Sequence, residues 1–131
     1  MSSNTHACLW DEGVLIDLGS FGGPRSHASG INNKGQIVGD SSISSEVFHP
    51  FLWENGVMKD MATPDMIRGA FVKINNSGQA VGTAEFSSGE SSAVLWHNGV
   101  WTKLGDLGGN ESFARDINEK GQVVGESFTS S

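Results

Sequence analysis

Six carboxylates, Asp17, Asp60, Asp65, Asp106, Glu111 and Asp116, fall near turns and strand ends. Two carboxyl groups in unlike surroundings can divide acid and base roles between them. Asp17 and Asp60 are 43 residues apart, and the next position at that spacing is Lys103, so the carboxylate is replaceable there. No spacing sets a nucleophile beside a base, and no catalytic residue is assigned. His6, His27, His49 and His97 do not follow the spacing of a zinc site, and neither a metal nor a cofactor is expected. The glycine-rich runs at residues 19–23 and 105–109 lack the lysine and the following helix of a phosphate loop, so they read as turns. Arginine offers the sharper chemistry, because its guanidinium forks onto carboxylates and phosphates. Arg25 and Arg68 are 43 residues apart, with Glu111 at the third position. With His27 close by, Arg115, and Trp101, whose counterparts are Leu15 and Met58, they form the candidate ligand-binding set. The expected ligand is an anionic small molecule, a glycan or a protein.

The elements that position these residues come in a threefold repeat. Trp10, Trp53 and Trp96 are spaced by 43 residues, as are Ile31, Ile74 and Ile117. Aligned, the copies read THACLWDEGVLIDLGSFGGPRSHASGINNKGQIVGDSS, FHPFLWENGVMKDMATPDMIRGAFVKINNSGQAVGTAE and SSAVLWHNGVWTKLGDLGGNESFARDINEKGQVVGESF. The chain therefore reads as one repeat domain over residues 1–131, with copies at about 6–47, 48–90 and 91–131. Such repeats stack on one another, because one unit cannot bury its own apolar face.

Each copy predicts four short strands. Asn55-Gly56 and Asn98-Gly99 sit between apolar runs, the strongest short hairpin signal, and Glu12-Gly13 is a weaker version. The I-N-x-x-G-Q motif closes a second hairpin: Asn32, Asn75 and Asn118 are expected to satisfy nearby backbone groups, and Gly35, Gly78 and Gly121 to take the left-handed turn position. The three repeated tryptophans are expected to pack between units, and Cys8 reads as a small buried apolar residue. Nothing has a helical period. Four strands in 43 residues is the blade arithmetic of a β-propeller, so the fold class is all-β, a propeller-like array of three four-stranded blades per chain.

The pattern H-A-C-L-W at residues 6–10, D-L-G at 17–19 and I-N-N-K-G-Q-I-V-G at 31–39 closely resembles the HAF repeat, named for a His-Ala-Phe triplet. The resemblance recurs three times over residues 6–127. It implies a β-propeller-like, extracellular repeat and brings no established activity or catalytic residue. The third copy has Ser92-Ala93-Val94 in place of the triplet, so the histidine is not required for the strand.

The repeat is out of phase with the expected blades. Residues 26–61 and 69–104 supply four strands each, while 112–128 and 6–18 supply two each. The last blade is therefore shared between the termini, the usual way a ring avoids open edges. Three blades in one ring would turn by about 120° per step, whereas propellers have roughly four to eight blades. A homodimer of six blades, closed by two-fold symmetry, is the expected assembly.

Fifteen carboxylates against eight Lys and Arg give a net charge of −7, and no basic stripe is present, which argues against nucleic acid. No apolar run suits a membrane span. Residues 1–10 carry neither the charged nor the apolar region of a leader, so the expected compartment is the cytoplasm, with an extracellular location the alternative if a signal has been removed. The expected function is a non-enzymatic binding or scaffold module that recognises a protein or small ligand at the channel rim. A propeller-type hydrolase or lyase, or a glycan-binding lectin, is the alternative.

Overall fold

The computed structural model describes residues 4–130; residues 1–3 and 131, the ends of the single-domain assignment, lie outside it. The described chain is all-β, as expected, with four strands per copy. The strands are β1 (Ala7–Asp11), β2 (Val14–Gly19), β3 (Ser26–Ile31), β4 (Ile37–Ser42), β5 (Phe48–Glu54), β6 (Val57–Asp60), β7 (Met66–Ile74), β8 (Ala80–Phe86), β9 (Ser91–His97), β10 (Val100–Lys103), β11 (Gly108–Ile117) and β12 (Val123–Thr129). They form three sheets. β1 and β2 pair alone, β3-β4-β5-β6 is an antiparallel meander, and β7-β8-β9-β10 repeats that meander. The β11–β12 hairpin joins this last sheet through a single parallel pair, Glu111 with Ser91.

Local chemistry explains the hairpins. Both central residues of the short turns have positive φ: Glu12 at 50° and Gly13 at 83°, Asn55 at 53° and Gly56 at 81°, Asn98 at 50° and Gly99 at 84°. This is the type I′ turn, whose twist matches that of the strands it joins. In the longer turn, the Asn32 side-chain oxygen accepts from the Lys34 and Gln36 N–H groups, both at 3.0 Å. Its amide donates to Gln36 Oε1 at 2.7 Å. Asn75 and Asn118 build the same turn in their copies. The inner hairpins share a register shift beside Ala28, Phe71 and Ala114. At Gly39, Gly82 and Gly125 a Cβ would run into the carbonyl oxygen of His27, Ala70 or Phe113, so glycine is required there by close backbone approach.

Successive layers pack face to face. Ala7 and Leu18 bury against Ile37 and Phe51. Val38 and Leu52 bury against Phe71, Ile74 and Ala80, joining the two meanders. Val81 and Ala93 bury against Ala114 and Ile117. Trp53 and Trp96 are half-buried against these clusters, as expected. Trp10 is not: it lies exposed on β1, whose other edge has no strand beside it among the described residues. Cys8 is only half-buried for the same reason, whereas its counterparts Phe51 and Val94 are buried.

The Asn turns also link the copies. Asn32 Nδ2 donates to the Asn75 carbonyl and Asn75 Nδ2 to that of Asn118, both at 3.0 Å, across 43 residues each time. One step along, the Asn33 N–H reaches Asn76 Oδ1 at 2.8 Å and the Asn76 N–H reaches Glu119 Oε1 at 3.0 Å. Each turn is thus hydrogen-bonded to the next, a ladder running through the stack.

Candidate functional site

Arg68 on β7 is ion-paired to Glu85 on β8 at 3.5 Å. Both line a cavity of about 300 Å³ between the two meanders, together with Asp40, Phe48, Gly69, Ala70, Thr83 and Ser91. His27, opposite Asp40 in the β3–β4 register, lies behind two of these residues: its Nδ1 is 3.6 Å from Asp40 Oδ1, and its ring stacks on Phe48 at 5.9 Å with 24° between planes. Arg68 therefore lines the cleft directly, and His27 touches it only through Asp40 and Phe48. Ala70, in the cleft wall, occupies the position that is His27 in the first copy and Phe113 in the third. There Phe113 lies edge-on to Phe128 at 6.1 Å.

The cleft is electrostatically mixed. Burial raises the Asp40 carboxyl above its ordinary value, and the nearby His27 opposes that shift. The Asp40 side chain is 20% exposed, against 54% for Arg68 and 37% for Glu85. Two carboxylates therefore surround one guanidinium and one imidazole, and Arg68 already has its anion. Thr83 and Ser91 add hydroxyls to the same cleft, which therefore holds acceptors, donors and an aromatic face.

The other candidate residues lie elsewhere. Arg25 stands at the start of β3, equivalent to Arg68; its N–H donates to Ser42 Oγ at 2.9 Å, and its exposed guanidinium forms no ion pair among the described residues. Arg115 on β11 pairs with Glu126 on β12, which holds the Glu126 carboxyl below its ordinary value. Trp101 lies apart from the cleft and is partly buried. It stacks on Phe71 at 5.3 Å with 6° between planes, and its indole N–H donates to the Met61 carbonyl at 3.1 Å. One ring face is thus packed and its one donor occupied, while the residue keeps part of its surface accessible.

Sequence reasoning missed two kinds of pairing. His6 Nδ1 lies 3.0 Å from Asp17, and His49 Nδ1 lies 2.9 Å from Asp60. The repeated histidine of the outer strands thus holds the repeated aspartate, and the His6 hydrogen bond, followed by the Gly19 N–H, lowers the Asp17 pKa. The signal was in the chain: both pairs are 11 residues apart, and the third copy replaces both members at once, by Ser92 and Lys103. Lys103 turns instead to Glu90 at 3.0 Å and to the Phe86 ring. The second missed pairing, His27 with Asp40, depends on strand register rather than on a fixed repeat spacing.

No protein-family model matches the chain, and no curated protein or solved structure does either.

Proposed function

We propose that this chain is a β-propeller binding module of the HAF-repeat kind, and that the cleft between its meanders receives a small hydroxyl-rich ligand, a glycan fragment. The observation that carries this reading is the company around Arg68. Asp40, Glu85 and Arg68 offer planar acceptors and donors around the Phe48 ring, an arrangement suited to hydroxyl groups on one side of a ligand and C–H groups on the other. An anion would have to displace Glu85 and sit near Asp40, which disfavours the anionic ligand expected from Arg25 and Arg68 alone. The volume suits one or two sugar rings. Titration calorimetry with a panel of mono- and disaccharides, and with phosphate and citrate as anions, is expected to show saccharide binding that Arg68→Ala weakens at least tenfold. Binding of the anions alone would overturn the glycan reading.

The same reading takes two copies to close a ring of six units. Its support is the complementary ends of the chain, an outer strand pair at one end and an inner pair at the other. Light scattering at micromolar concentration is expected to give twice 13.9 kDa; a strict monomer would sink the dimer.

A further inference from the structure

The first and last described repeats present, uncovered, surfaces whose equivalents elsewhere are buried. Val38 and Val81 are 0% exposed, but the equivalent Val124 on β12 is 63% exposed. Ile74 and Ile117 are 2% and 6% exposed, but the equivalent Ile31 on β3 is 55% exposed. Trp10 on β1 is 73% exposed where Trp53 and Trp96 are half-buried. One groove of about 270 Å³ lies along Ala93, Leu107, Ala114 and Val124, where β12 has no outer neighbour. Another of about 330 Å³ lies along Leu9, Trp10, Ala28 and Ile31, where β1 has no inner neighbour.

We infer that β12 of one copy pairs antiparallel with β1 of a second copy in a single register, building the hybrid sheet β11-β12-β1-β2 at each of two joints. This rests on the dimeric reading above and specifies its interface. The register follows from the two meanders. Ile37 pairs with Trp53, Val38 with Leu52 and Gly39 with Phe51. Ala80, Val81 and Gly82 pair with Trp96, Leu95 and Val94 at the same offset. Moved along by the repeat, the pairs become Val123 with Trp10, Val124 with Leu9 and Gly125 with Cys8 of the second copy. Val124 then covers Ile31 of the second copy, as Val38 covers Ile74.

Two polar features continue across the same joint. Asn118 Nδ2 bonds Gln122 but has no carbonyl of a following repeat to reach, unlike Asn32 and Asn75. The joint supplies the carbonyl of Asn32 of the second copy. Asp40 and Arg68 line one cavity across the gap between the meanders. Their equivalents across the joint are Glu126, which already pairs with Arg115, and Arg25 of the second copy, so the exposed arginine comes beside an existing ion pair. A second copy is therefore the occupant that both the exposed apolar residues and the ladder fit.

The test is disulfide trapping in a Cys8→Ala background. Leu9→Cys/Val124→Cys and Trp10→Cys/Val123→Cys place cysteines at directly opposed positions, whose separation a disulfide can span in at least one of the two pair types. Leu9→Cys/Val123→Cys is the control out of register, with side chains on opposite faces. Oxidation of an in-register variant is expected to give a covalent two-chain species under denaturing conditions, and the control none. A native mass of two chains with no in-register cross-link would overturn the joint while leaving the dimer standing. A cross-link that stays within one chain, or a ladder of larger species, would overturn it in favour of self-closure or open-ended growth. As an independent check, Val124→Arg should leave the circular dichroism unchanged and reduce the native mass to one chain; persistence of the two-chain mass would overturn the joint.

Discussion

Glu12 sits where the other two copies have asparagine. Four non-glycine residues have positive φ among the described residues; three are asparagine and the fourth is Glu12, at 50°. The left-handed region costs a residue with a Cβ about 1–2 kcal/mol, and asparagine recovers part of this through local hydrogen bonds. Glu12→Asn is therefore expected to stabilise the fold by roughly 0.5–1 kcal/mol, read as a higher denaturant midpoint at unchanged slope. Asp40 carries a prediction of opposite origin. Its folded pKa is raised above the ordinary 3.8 by burial, so its contribution to stability is complete below that value and is lost as pH rises through the folded pKa. The charged groups facing it, His27, Arg68 and Glu85, are only partly buried and do not reverse the shift. Asp40→Asn is expected to raise the melting temperature at pH 7, with the gain shrinking towards pH 3; a constant gain across that range would refute burial as the cause. Single positions also show how the repeat is maintained. The Ala7 and Ala93 N–H groups donate to Ser26 and Ser112 at 2.8 and 2.9 Å. In the middle copy Pro50, without an N–H, packs near Gly69, without a hydroxyl, so donor and acceptor vanish together.

At the scale of elements, most of the strand pattern was legible because its causes are local. Asn-Gly between apolar runs specifies a two-residue hairpin whatever surrounds it, and I-N-x-x-G-Q specifies its longer turn through bonds that span four residues or fewer. The 43-residue spacing then fixed which strands are equivalent, and with them the placement of Arg25 and Arg68 at the same point of successive inner strands. The cleft was less legible because its residues meet through register and packing. His27 finds Asp40 only once β3 and β4 are paired. Trp101 escaped for a related reason. It has no tryptophan counterparts, so the repeat says nothing of its burial, and its partners Phe71 and Met61 come from other strands and loops. The repeated tryptophans show the converse: position in the repeat predicts burial for Trp53 and Trp96 and fails for Trp10, because burial also needs the neighbouring strand.

For the whole molecule, the number of copies that close a ring follows from the number of units each contributes. Three units per chain need about 60° per step in a closed dimer and about 120° in a closed monomer, and only the first lies in the usual range for propellers. The proposed joint also sets how the chain ends meet. Residues 43–47 connect β4 to β5, and a fusion of two copies connects the equivalent strands, β12 of the first and β1 of the second. Joining the copies makes one of the two joints intramolecular, with a high effective concentration for the remaining one. The fused protein is expected to keep the mass and hydrodynamic radius of the two-chain assembly and to melt at a temperature independent of concentration. The parent's melting temperature should rise with concentration, because its folding is linked to association. Fused proteins that pair again into larger particles would show that two copies do not close the ring, and a parent whose melting temperature ignores concentration would show that one copy suffices.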